Sequence, residues 1–158
     1  MLLHPIGIIQ TPWQAPAAMP VQPPGAAASR GIIYLNSDLE EGLADLAGFS
    51  HIFVIYGFHQ TRETRLLVKP FLDDHSHGIF ATRAPTRPNR LGLSVLRLCE
   101  VSGTTLKVTG VDMLDQSPLY DIKPYVPAFD QPAGDIRLGW LEGKADQAGA
   151  KRSDDRFV

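Results

Sequence analysis

Five prolines crowd residues 12–25 (Pro12, Pro16, Pro20, Pro23 and Pro24), and they constrain the fold of this chain more than any other feature. Each fixes φ and removes a backbone donor, so neither a regular helix nor a central strand can run through the segment. It must be a long loop. Apolar segments lie on both sides of it, at 3–9 and 31–35, which makes the loop internal. Internal loops of this length in a compact domain are disordered or functional, and ordering by a ligand or a partner subunit is the expectation here.

The remaining pattern is dominated by strands. Residues 3–9 and 31–35 have strand-like apolar character, and residues 51–58 are dense in β-branched and aromatic side chains, as expected of a central strand. Leu66-Leu67-Val68 predicts a further short strand. Leu91, Leu93, Val95 and Cys99 alternate with Gly92, Ser94 and Leu96, Leu106 and Val108 alternate with Thr105, Lys107 and Thr109, and Ser102-Gly103 supplies the turn of a hairpin. Ser37 and Glu40 have the spacing of a capping box before Leu39, Leu43 and Leu46, predicting a short helix that stops near Gly48. Beyond residues 111–114 the chain is expected to be turn-rich, and residues 145–155 are polar enough to fray. The expected fold is mainly β, a barrel or sandwich rather than a parallel α/β sheet, with one or two short helices and long proline-rich loops. Residues 1–140 form its single domain and residues 141–158 a polar C-terminal tail.

Composition narrows the function classes. A length of 158 residues, 44% hydrophobic and 20% charged, suits one globular domain, and no apolar run approaches the length needed to span a bilayer. Met1-Leu2-Leu3-His4-Pro5 lacks the features of a secretory signal, so a cytoplasmic protein without membrane association is expected. The single cysteine, Cys99, is read as a packed core residue. A net charge of −2 argues against whole-surface attraction to nucleic acid. Its distribution permits one basic face, because Arg83, Arg87, Arg90 and Arg97 occur with no intervening acid, whereas acids concentrate in residues 38–45 and in the tail.

No two glycines are separated by a single residue, which removes the dinucleotide fingerprint, and neither a G-K-[ST] phosphate loop nor a G-x-S-x-G elbow is present. Asp73-Asp74-His75-Ser76-His77 offers oxygen and nitrogen ligands close together, yet the adjacent Gly78 suits a polar turn, and no metal is expected there. Three polar segments then interrupt the apolar strands. Phe58-His59-Gln60 stands at a strand end, where binding groups rest on rigid support, although a structural histidine accounts for His59 equally well in isolation. Residues 78–92 combine prolines with the planar donor forks of Arg83 and Arg87, suited to carboxylate or phosphate. Residues 111–125 bring together carboxylates, Lys123 and Tyr125.

The combination of F-x-x-R-x-P-x-R-P-N (Phe80 to Asn89), G-F-S-H (Gly48 to His51), F-H-Q (Phe58 to Gln60) and D-I-K-P-Y (Asp121 to Tyr125) resembles the TsaA-like, or TrmO, family from about Pro5 to Phe129. The resemblance implies a compact β-barrel, S-adenosylmethionine as cofactor, a homodimer, and methylation of N6 of threonylcarbamoyladenosine next to the tRNA anticodon, position 37. Carried over by motif, the implied cofactor contacts are Pro20, Val21, Gln22, His59, Gln60, Arg83, Leu93, Asp112, Met113, Leu114, Asp115 and Gln116. Arg83 and Asp115 are expected to supply the charges of the pocket, with the pairing to individual cofactor groups open. Asp115, Asp121, Lys123 and Tyr125 are the catalytic candidates, and Arg87, Asn89 and Lys123 are expected to face the tRNA backbone or the threonyl carboxylate. This chain departs from the family's usual R-P-N-P, followed by I-G, in having Arg90 and Leu91-Gly92, and from D-G-T-P in having Asp115-Gln116-Ser117-Pro118. Two alternatives stay open: a methyltransferase for another RNA or a small molecule, and a noncatalytic anion-binding barrel.

Overall fold

The structure, a computed structural model, describes residues 2–16, 19–20, 26–154 and 157. Its strands are β1 (Gly7–Gln10), β2 (Arg30–Leu35), β3 (His51–Gly57), β4 (Leu67–Val68), β5 (His77–Gly78), β6 (Leu91–Ser102), β7 (Thr105–Thr109) and β8 (Ser117–Pro124). Six of them close an antiparallel barrel in the order β1-β2-β7-β6-β3-β8, while β4 and β5 pair separately. Inward side chains fill the barrel: Ile9, Ile33, Ile52, Leu96, Leu106 and Leu119 are fully buried. A smaller cluster, Val68, Ile79 and Ala84 with Phe157 against it, supports the segment between β3 and β6.

Several local expectations are corrected. Residues 117–124, expected to be turn-rich, form the strand that closes the barrel, pairing β8 with both β1 and β3. Pro118 and Pro124 fall near its two ends, where missing donors are tolerated, and a register shift opposite Ile55 and Tyr56 accommodates its path. The first strand starts at Gly7, later than the apolar run suggests. The capping box is absent, because Ser37–Leu43 is a 3-10 helix whose N-cap is Asn36, with no side-chain cap hydrogen bond. One short α-helix, α1 (Pro127–Asp130), follows β8.

β6 turns Gly92 and Ser94 inward where Leu91, Leu93 and Val95 would offer larger apolar side chains. Gly92, Ser94, Leu96 and Leu98 point in, and Leu91, Leu93 and Val95 point out. Gly92 explains this choice. A Cβ at position 92 would lie 2.3 Å from Cζ of Tyr56, so the absent side chain is the space that the Tyr56 ring occupies. Cys99 is exposed, not core, because it is the unpaired residue of a bulge between Leu98 and Glu100. The bulge restores inward parity to Val101, beside Leu106 of β7. Gly103, at φ 55°, makes the turn of this hairpin as expected.

Gly92→Ala should therefore overpack the barrel and cost about 1–3 kcal/mol in urea-induced unfolding. An unchanged midpoint would show that the Tyr56 ring can yield.

Candidate functional site

Strand direction alternates around a closed antiparallel barrel, so the loops 11–29, 58–90 and 110–116 all emerge at one end. These loops carry the three polar segments and the proline-rich stretch. The loop 110–116 is stapled to the first loop by reciprocal bonds across about a hundred residues of sequence. The Asp115 amide donates to the Trp13 carbonyl (2.7 Å), and the Thr11 amide donates to Asp115 Oδ1 (2.9 Å). Thr11 Oγ1 donates to the Met113 carbonyl and Trp13 Nε1 to the Val111 carbonyl, both at 2.9 Å. The Thr11 amide, aided by Gln14 and Gln116, holds the Asp115 carboxyl below the usual range. Asp115 is thus committed to its own backbone. The Met113 side chain lies in the core, and Ser117 donates both N–H and O–H to the Leu114 carbonyl.

Asp112, three residues earlier, has the opposite environment. Burial pushes its carboxyl up to about 6, against the pull of the Ser94 hydrogen bond and the Arg83 charge. Ser94 Oγ donates to Asp112 Oδ1 at 2.7 Å and lies 3.5 Å from the Tyr56 hydroxyl. Burial and the Asp112 charge raise the Tyr56 phenol, while Ser94 and Arg83 act to lower it. Arg83 therefore acts electrostatically on both groups. Ser94 and Tyr56 were missed by sequence reasoning; the small residues of β6 were the available signal, legible only once Gly92 and Ser94 are taken as inward.

His59 and Gln60 line a cavity of about 530 Å³ with Arg62, Arg65, Thr86 and Phe157. The two ends of the 58–90 segment are tied by Arg90, whose Nη2 donates to the Arg62 carbonyl (2.7 Å) and whose carbonyl accepts the Phe58 amide (2.8 Å). Pro20 bridges to Arg152, and the Ser153 amide donates to the Met19 carbonyl at 2.9 Å, so residues 152–153 rest on the proline-rich loop. Val21 and Gln22 lie outside the described residues.

This arrangement of loops on a closed barrel has a counterpart among characterised families. The model of the tRNA-methyltransferase O N-terminal domain matches residues 8–131. The chain belongs to that family. It is 46% identical to a probable S-adenosyl-L-methionine-binding protein of Pyrococcus abyssi, over 98% of this chain and 83% of the relative. It is 34% identical to the tRNA (adenine(37)-N6)-methyltransferase of Mus musculus, over 84% of this chain and 32% of that protein. The crystal structure of TrmO from Pseudomonas aeruginosa superposes with a TM-score of 0.74 at 37% identity, covering 89% of this chain and 62% of the other. The chain thus spans about a third of the mouse protein and less than two thirds of the Pseudomonas chain.

Within this family member, Asp121, Lys123, Tyr125 and Leu93 lie on or beside the barrel wall, whereas Arg87 and Asn89 belong to the 58–90 segment. Arg87 Nη1 donates to the carbonyls of Ile79 (3.2 Å) and Thr82 (2.7 Å), bracing its own loop. Asn89 is exposed and borders a second cavity of about 390 Å³ with Leu91 and Tyr120. Asp121 and Lys123 form an ion pair at 2.6 Å on β8, and the Tyr125 ring stands edge-on to Phe53, with centroids 5.4 Å apart. Leu93 is 55% exposed on the outer wall, opposite Ile55. The Asp73 carboxylate contacts Lys144 (3.0 Å), His77 (3.0 Å) and His75 (3.3 Å), and these partners, Lys144 foremost, hold it well below the usual range.

The raised Asp112 carboxyl fixes a pH dependence. Because its folded pKa lies above the unfolded value of 3.8, the native state keeps a proton that the unfolded chain has released, and stability falls as pH rises from about 4 to 6. Asp112→Asn should remove that fall and stabilise the ligand-free protein at neutral pH by on the order of 1–3 kcal/mol, read from urea unfolding at both ends of the window. Parallel pH profiles for the two proteins would contradict the assignment.

Proposed function

We propose that this chain is an S-adenosylmethionine-dependent methyltransferase that methylates N6 of threonylcarbamoyladenosine at position 37 of tRNA. The observation that carries the reading is the convergence, at the barrel end where the three loops meet, of His59, Gln60 and Arg83 with the buried Asp112 carboxyl that Ser94 orients. The cofactor has both a carboxylate and cationic groups, and this donor set suits both. Bound, it supplies an electrophilic methyl group. The Arg83 fork suits the carboxylate, and Asp112, oriented by Ser94, offers its charge to a cation whose arrival favours the ionised carboxyl. His59 and Gln60 add polar groups on the rigid end of β3, and Pro20 belongs to the connection that leaves β1 at the same end. Asp115 holds that loop to the 110–116 turn. Displacement at a methyl group depends mainly on alignment, which can supply roughly 7–11 kcal/mol, so holding two molecules in register is the principal task of these loops.

The reading includes a homodimer. Phe53, Ile55, Leu93 and Val95 form an apolar stripe on the outer wall, with Asp121, Lys123 and Tyr125 along its edge. Exposed apolar patches of this kind favour association. A second copy packed on this stripe buries Leu93 and gives Asp121, Lys123 and Tyr125 a route to the partner's barrel end, which in a single chain they lack. Asn89 and Lys123 are the candidates for meeting the RNA. No described helix is long and apolar enough to cross a membrane, and a tRNA-modifying enzyme of this kind works in the cytoplasm.

S-adenosylmethionine at about a hundredfold excess over its Kd should raise the melting temperature by roughly 5–10 °C. Methyl transfer should then be seen with threonylcarbamoylated tRNA and not with unmodified tRNA. A melting shift without transfer to either would move the reading to another acceptor, and no shift at all would leave a binding barrel. Leu93→Arg should shift the protein to a monomer in light-scattering chromatography; an unchanged mass would remove the stripe from the interface.

A further inference from the structure

Phe80 is 76% exposed, the most exposed aromatic ring among the described residues, yet the backbone that carries it is heavily restrained. It sits in the 3-10 turn Ile79–Ala81. Ile79 is buried and anchored with Val68 and Ala84. Arg87 Nη1 binds the carbonyls of Ile79 and Thr82, Thr82 Oγ1 binds the Ile79 carbonyl (2.9 Å), and Trp140 Nε1 binds the Ala81 carbonyl (2.7 Å). The Trp140 indole is itself fixed by stacking on His77, with centroids 4.5 Å apart. The turn is therefore held from three directions, while the ring at its apex contributes nothing to the core.

The surroundings indicate what that ring faces. The Arg87 guanidinium carbon lies 5.9 Å from the ring centroid, in cation–π range. No Asp or Glu occurs from residue 75 to residue 99, while Arg83, Arg87, Arg90 and Arg97 all do. Three residues beyond the ring, Arg83 acts electrostatically on Asp112 at the barrel mouth, and Phe80 and Arg83 belong to the same segment, 58–90, which emerges at that end. An adenosine whose N6 must reach that mouth has to leave its stack, and its unpaired neighbours then need a flat apolar surface beside positive charge.

We infer that Phe80 is a stacking platform for an unpaired base of the RNA acceptor, held at the rim by the Arg87 and Trp140 braces. This rests on the reading of the acceptor as RNA and adds a contact that the cofactor site does not require.

The test uses the full chain and an anticodon stem-loop oligonucleotide with 2-aminopurine beside the acceptor adenosine. Phe80→Ala should weaken RNA binding roughly ten- to a hundredfold, and Phe80→Leu should lose most of the same affinity, since a stacked base needs the π face. Phe80→Trp should restore affinity and the quenching of 2-aminopurine on binding. Cofactor affinity and melting temperature should be unchanged in all three, because the ring is outside the core. Wild-type RNA affinity in Phe80→Leu would overturn the platform. So would unchanged RNA binding in Phe80→Ala with a lower particle mass, which would assign the ring to contact between copies. Methyl transfer with RNA binding indifferent to Phe80 would sink the platform alone; a wild-type chain that binds no stem-loop would sink it together with the RNA reading.

Discussion

Closure of the barrel by β8 is the constraint on which the rest of the molecule depends. Pairing Ile9 with Ser117 on one side and Val54 with Ile122 on the other completes an antiparallel circuit of six strands. Such a circuit sorts connections by strand direction, so the segments 11–29, 58–90 and 110–116 share one end, while the segment 36–50 and the short hairpin between β6 and β7 take the other. A barrel this narrow has its interior filled by side chains. The Tyr56 ring over Gly92 takes up inward space near the loop end, so ligands must be met on the rim or outer wall. Long loops on a rigid, filled support are the natural consequence.

The two carboxylates of the 110–116 turn show how much local surroundings outweigh residue type. Both are aspartates, three positions apart, with the same intrinsic affinity for protons. Asp115 accepts the Thr11 amide and is held ionised, while Asp112 loses solvent and is drawn toward its neutral form. The first serves the architecture by joining two loops; the second retains an unmet preference for positive charge. A cationic ligand gains from that contrast, because the charge it would compensate is already in place and oriented by Ser94.

Much of this was legible in the sequence, for reasons that can be stated. Pro12, Pro16 and Pro20 lie in irregular backbone as their chemistry requires, the β-branched run of β3 forced a strand, and the polar interruptions at 58–60, 78–92 and the first part of 111–125 marked the ends of strands. β8 was not legible, because Pro118, Asp121, Lys123 and Pro124 lower strand propensity, and only pairing on both sides overrides it. The inward face of β6 is not marked by its leucines, which divide evenly between the two sides, and the reason for Gly92 lies on another strand. The bulge that expels Cys99 has no sequence mark. The structural task of Asp115 depends on Thr11, which no local pattern connects to it.

Arg90 adopts φ 51°, in the left-handed region, while its carbonyl and guanidinium hold residues 58 and 62 in place. The related motif ends in proline here, and a pyrrolidine ring fixes φ near −65°, out of reach of this geometry. This corner therefore cannot be inherited one residue at a time: a relative with the imino acid must route the chain differently between the two loops. In chimeras within the family, residues 58–65 and 86–91 form one exchangeable unit, cut at β3 and β6.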